Sequence, residues 1–185
     1  MKLLVGLGNP GSAYEGTRHN VGFDALNRLA CRAGSPVRRA RFQGETAQAT
    51  LRGNSVLLLW PLTWMNLSGA SVLAARDFYK IDHTDILIIC DDFQLPTETI
   101  RIRSSGSAGG QNGLADTLAR LGETTVPRLR IGIGPVEPGW TSSDFVLGKF
   151  SKSQRPAMDV LLERAADAAE EWVALGIEAA MNRYN

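Results

Sequence analysis

Cysteine is scarce in this chain of 185 residues: Cys31 and Cys90 are the only two, and they form no CxxC pair. That spacing excludes a thiolate metal cage and a CxxC redox motif, and the two thiols read as reduced. Histidine is as scarce, with His19 and His83 alone. Apolar runs such as Ile86–Cys90 fall far short of the roughly 20 residues that cross a bilayer, so no membrane partner is expected. No GxSxG elbow occurs, and no serine stands out as a nucleophile. Charge is nearly balanced, 20 Lys and Arg against 19 Asp and Glu, so any nucleic-acid contact must come from a local patch. Repeats, low-complexity tracts and long linkers are missing as well. No secretory signal pattern is visible, because Met1-Lys2 leads directly into the apolar Leu3-Leu4-Val5-Gly6. The expected compartment is the cytoplasm.

The composition itself is globular, 44% hydrophobic and 21% charged, and the length is that of one domain. Strand and helix patterns alternate. Leu3–Gly6 reads as a strand, and Val21, Ala25, Leu26 and Leu29 recur at helical spacing over Asn20–Arg32. Phe42–Leu51 and Val56–Trp60 read as a strand pair turning at Gly53-Asn54, and Leu67–Tyr79 as a helix. Ile86–Cys90 has the solid apolar character of a strand buried on both faces. Thr99–Arg103 alternates. Asn112 is a candidate cap for a helix through Leu121, and Leu129–Gly134 reads as a strand. Ser151 is a candidate cap for a final helix over 151–183 whose apolar face carries Met158, Leu161, Leu162, Ala165, Ala169, Trp172 and Val173. Residues 135–150 read as a long loop, a candidate lid. The whole predicts one α/β domain over 1–185: a mixed, mostly parallel twisted sheet with helices on both faces.

In such sheets sites form beyond the carboxyl ends of the strands. Asn9, Asn66, Asp91 and the glycine loop 106–113 all come just after predicted strand ends, and His19 lies in the loop after the first. Gly6-Leu7-Gly8-Asn9-Pro10-Gly11 matches GxGxxG, but a dinucleotide site needs a helix to open at once, and Pro10, Gly11 and Gly16 break the next stretch. The other use of these glycines is close backbone packing that presents Asn9 to a cleft. His83 reads as a turn residue. Asp91-Asp92 has two readings. In one, a carboxylate caps a turn while the other is solvated; in the other, Asp91 accepts the imidazole N–H of His19 and stabilises the imidazolium. With two histidines and no further acidic cluster, no metal site is read. A histidine without a nucleophile partner points to attack by an activated water, which suits an ester better than an amide because an alkoxide leaves more readily. Asn66 and Asn112 can each cap a helix, or pair with a peptide group of a substrate. Arg38-Arg39-Ala40-Arg41 reads as a solvated strand edge, and Arg101 with Arg103 as a second basic cluster.

Together these stretches resemble the bacterial-type peptidyl-tRNA hydrolases. The match runs through Leu4-Val5-Gly6-Leu7-Gly8-Asn9-Pro10-Gly11, Tyr14, Thr17-Arg18-His19-Asn20-Val21-Gly22-Phe23 and Pro61-Leu62-Thr63-Trp64-Met65-Asn66-Leu67-Ser68-Gly69. It continues through Asp91-Asp92, Leu95-Pro96, Gly109-Gly110-Gln111-Asn112-Gly113-Leu114, Arg128–Gly134 and Phe145-Val146-Leu147-Gly148. The resemblance implies a monomeric hydrolase of the ester between a peptide and the 3′ end of tRNA, with no metal and no cofactor. It implies His19 as base, Asp91 as its orienting partner, and Asn9 as the group that positions the water and the scissile ester. It implies Tyr14, Met65, Asn66 and Asn112 as substrate contacts, and Arg103 and Arg130 as grips on tRNA phosphate. Three departures accompany it: Gln94 where the family often has an acidic residue, and Gln111 and Cys90 where it often has histidine. A non-catalytic RNA-binding protein on the same scaffold is the competing reading, against which the intact His19, Asp91 and Asn9 argue.

Overall fold

Strand β1 (Lys2–Gly6) has almost no polar side chain to offer, and it takes the centre of the sheet, where both faces are buried. A computed structural model describes residues 1–185. After β1, residues 7–20 form a loop with two short 3-10 turns, Ser12–Tyr14 and Arg18–Asn20, which leads into helix α1 (Val21–Arg32). No helix opens directly after Gly6-Leu7-Gly8, so the dinucleotide geometry is not formed. The glycines serve packing: a Cβ on Gly6 would collide with the Gly22 carbonyl, and one on Gly8 with the Phe23 ring.

Next come an exposed edge strand β2 (Arg39–Arg41), β3 (Gly44–Leu51), β4 (Asn54–Pro61), α2 (Ser68–Tyr79) and β5 (Ile86–Pro96). The chain then runs through β6 (Ile100–Arg103), α3 (Asn112–Leu121), β7 (Arg128–Gly134), α4 (Ser142–Leu147), α5 (Arg155–Leu175) and α6 (Ile177–Tyr184). The seven strands form one sheet in the order β2-β3-β4-β1-β5-β7-β6. Its centre, β4-β1-β5-β7, is parallel; β2, β3 and β6 add antiparallel edges. Alternation within β1 splits the core: Leu4 joins the face covered by α1, α5 and α6, while Leu3 and Val5 join the face under α2 and α3. Each fully buried Leu or Ile contributes roughly 1.5–3 kcal/mol, which makes these two layers the main stabilising term.

The structure departs from the sequence expectations at five places, each with a local reason. The strand beginning at Ile86 does not stop at Cys90; it stays paired with β7 and bulges between Asp92 and Pro96, so Asp91 and Asp92 lie inside β5. Phe42 and Gln43, at φ 55 each, make the tight β2–β3 turn, so that strand starts at Gly44. Asn112 does not cap α3. Gln111 holds the extended cap conformation and accepts the Leu114 N–H at 2.7 Å. Residues 135–150 are not all loop: Thr141 caps α4, with its side chain accepting from the Asp144 N–H. The last helix is not continuous over 151–183. Ser151 stays in the preceding turn, α5 opens at Arg155-Pro156, and Gly176 at φ 87 separates α5 from α6.

Candidate active site

The carboxyl ends of β1, β4 and β5 open on one side into a cleft of about 640 Å³. Asn9 and His19 reach it from the loop after β1, Trp64, Met65 and Asn66 from the turn after β4, and Asp91, Asp92 and Phe93 from β5. Gly109–Asn112 supply a further wall, and Ser142, Ser143, Val146 and Leu147 of α4 line the cleft as well.

His19 is 9% exposed and Asp91 2%. His19 Nδ1 lies 2.9 Å from both carboxylate oxygens of Asp91. With Nδ1–H donating to the carboxylate, the lone pair is left on Nε2, which has no protein partner. The two aspartates are committed differently. Asp91 faces His19, whereas Asp92 accepts from Arg130 at 3.3 Å and from the Gln94 backbone N–H at 2.8 Å. Gln94 itself is exposed and lies outside the cleft lining.

Asn9 is held from three sides. Its backbone N–H donates to Asn20 Oδ1 at 2.9 Å, its carbonyl accepts from Asn20 Nδ2 at 3.0 Å, and its Oδ1 accepts the Met65 N–H at 2.8 Å. The Oδ1 bond sets the amide orientation and leaves Nδ2–H groups for the cleft. Asn66 and Asn112 are exposed in the cleft lining with side-chain amides unused by the protein. Met65 is 4% exposed and forms part of the floor. Tyr14 does not line the cleft; its ring meets Trp64, which does, edge-on at 5.9 Å. Cys90 is fully buried against the α2 and α3 side of the core, and burial pushes its thiol strongly upward, which makes it unreactive.

Arg130 and Arg103 stand outside the cleft. In the β6–β7 ladder Arg101 pairs with Arg130 and Arg103 with Arg128, so four guanidiniums share one face. Arg128 is buried beneath the glycine loop and donates to the carbonyls of Gly106 at 2.7 Å and Val126 at 2.8 Å. Arg130 bridges the Ser107 carbonyl and Asp92. Arg103 is exposed and faces no carboxylate.

Three contributors have no distinct signal in the sequence. Asn20 and Gln111 stand there only as motif members; their roles depend on backbone geometry. Arg18 is 5% exposed and sits over the rings of Phe145 at 4.3 Å and Phe150 at 5.2 Å. Its backbone N–H donates to the Gly148 carbonyl at 2.9 Å, so the residue before His19 is tied to the segment carrying α4. Burial lowers its pKa from the usual guanidinium value, with Glu137 opposing. For α4 the available signal is the Thr141-Ser142-Ser143-Asp144 capping pattern.

A family model described as "Peptidyl-tRNA hydrolase" matches residues 3–185. A peptidyl-tRNA hydrolase of Pelodictyon phaeoclathratiforme is 51% identical over 186 residues, covering 100% of this chain and 98% of its own. One of Rhodopirellula baltica is 50% identical, covering 100% and 97%. The crystal structure of peptidyl-tRNA hydrolase from Acinetobacter baumannii superposes with a TM-score of 0.91 at 37% identity, over 100% of this chain and 94% of that one. The sheet order, the cleft and these likenesses agree, and the chain belongs to the peptidyl-tRNA hydrolase family.

Proposed function

We propose that the chain hydrolyses the ester between a peptide, or an N-blocked aminoacyl group, and the 3′ end of tRNA, with His19 as the base and no covalent intermediate. The observation that carries this reading is a buried His19–Asp91 pair whose second ring nitrogen is free on a cleft. Nε2 takes a proton from water as the oxygen attacks the ester carbonyl. Asp91 balances the imidazolium that forms, and the proton then passes to the departing ribose oxygen. Ser142 and Ser143 line the cleft, yet Asp91 is the only hydrogen-bond partner of His19, so neither serine is paired with a base.

The Asn9 Nδ2–H groups suit the water or the carbonyl oxygen, and the unused amides of Asn66 and Asn112 suit a peptide N–H and C=O. A free aminoacyl ester carries an ammonium where a peptide carries an amide, so it leaves those groups unmatched. Arg103 and Arg130 suit phosphates beyond the cleft. A monomer is the proposed working unit, and the tRNA substrate points to the cytoplasm. The test is a comparison of N-acetyl-aminoacyl-tRNA with free aminoacyl-tRNA, measuring tRNA and acid release together. Fast cleavage of the first, sparing of the second and no burst are expected. A burst of tRNA ahead of acid release refutes direct attack by water, and equal cleavage of both refutes the amide reading.

A further inference from the structure

Gln111 is 6% exposed, and both ends of its amide are engaged. Its Oε1 accepts the Leu114 N–H at 2.7 Å, which caps α3 and decides which end of the amide is oxygen. The Nε2 end is thereby aimed at Asp91 Oδ1 at 3.0 Å and at Met65 Sδ at 3.2 Å. Asp91 Oδ1 thus receives two donors, His19 Nδ1 and Gln111 Nε2. Met65 in turn donates its N–H to Asn9. One neutral side chain therefore joins the glycine loop, the turn after β4 and the carboxylate that orients His19.

We propose that Gln111 is the positioning residue of the His19–Asp91 pair. It acts through Asp91, and the proposal rests on His19 being the base. The helix cap fixes the amide, the amide fixes the carboxylate torsion, and the carboxylate then meets Nδ1 with both oxygens. Because an amide does not titrate, it donates to Asp91 at every pH and adds no ionisation of its own beside the imidazole.

Gln111→Glu separates this role from simple capping. A glutamate oxygen still accepts the Leu114 N–H, but its other oxygen donates to Asp91 only while protonated. Two carboxylates at this spacing raise one another's pKa. The variant is expected to keep its Tm within roughly 2–4 °C of the parent. Its kcat/KM profile is expected to gain an ionisation that the parent lacks, and kcat near neutral pH to fall about tenfold or more with KM little changed. If the variant does not fold, Gln111→Met keeps the bulk and removes the donor; a lower kcat with KM little changed is expected, and an unchanged kcat overturns the proposal. A profile superimposable on the parent in the folded variant overturns the proposal. His19→Ala keeps the two ideas apart: loss of activity there with an unmoved Gln111→Glu profile leaves the base in place and removes only the role of Gln111.

Discussion

Replacing Asp91 by asparagine changes one charge at nearly constant volume, in a place where the structure specifies the consequence. Both carboxylate oxygens lie 2.9 Å from His19 Nδ1, and Asp91 is 2% exposed, so water cannot substitute for the lost charge. A hydrogen bond to a charged partner contributes about 1.5–3 kcal/mol. At about 1.36 kcal/mol per tenfold, its loss from the state in which His19 carries the proton lowers the rate by about ten- to 150-fold. The asparagine amide can also turn its N–H groups toward Nδ1, which moves the ring proton to Nε2 and blocks the base outright, so this range is a floor. The assay is hydrolysis of N-acetyl-aminoacyl-tRNA by Asp91→Asn beside the parent, with circular dichroism to establish folding. A folded variant with the parent rate refutes the orienting role.

Two further outcomes concern other parts of the molecule. Arg103→Ala removes an exposed guanidinium with no carboxylate partner, so KM should rise, kcat should hold, and the salt dependence of tRNA binding should lose about one unit of slope; an unchanged slope removes Arg103 from the phosphate contacts. Asp24 on α1 has its carboxyl raised above the usual value, chiefly by burial, with Arg155 and Arg28 opposing. Folding therefore disfavours its charged form. The stability cost is present above the folded pKa and vanishes below the unfolded one, so Asp24→Asn should raise Tm near neutral pH and lose that advantage in acid, as thermal melts across pH would show.

The elements that place His19 and Asp91 are legible because they depend on pattern. Apolar runs at Leu3–Gly6, Val56–Trp60 and Ile86–Cys90 mark central strands, and the places of Asn9, Asn66 and Asp91 depend on where those strands end or continue. The register that keeps Asp91 paired with Ile131 inside β5 is tertiary, and no local signal marks it. Gln111 and Asn112 can both cap a helix; the choice depends on which residue is extended, a backbone property invisible in side-chain order. Helix α4 is six residues long with an exposed outer face, too short for apolar periodicity to register. Its attachment through Arg18 joins residues 18 and 145–150, a separation that spacing along the chain does not reveal.

The central claim is that His19 removes a proton from water, and His19→Ala tests it most directly. The measurement is single-turnover release of N-acetyl-amino acid from tRNA by folded parent and variant, with tRNA affinity determined in parallel. A general base contributes about 10²–10⁴-fold, so the variant should be slower by at least about a hundredfold while tRNA affinity is retained. A variant that binds tRNA and hydrolyses the ester at the parent rate contradicts the account.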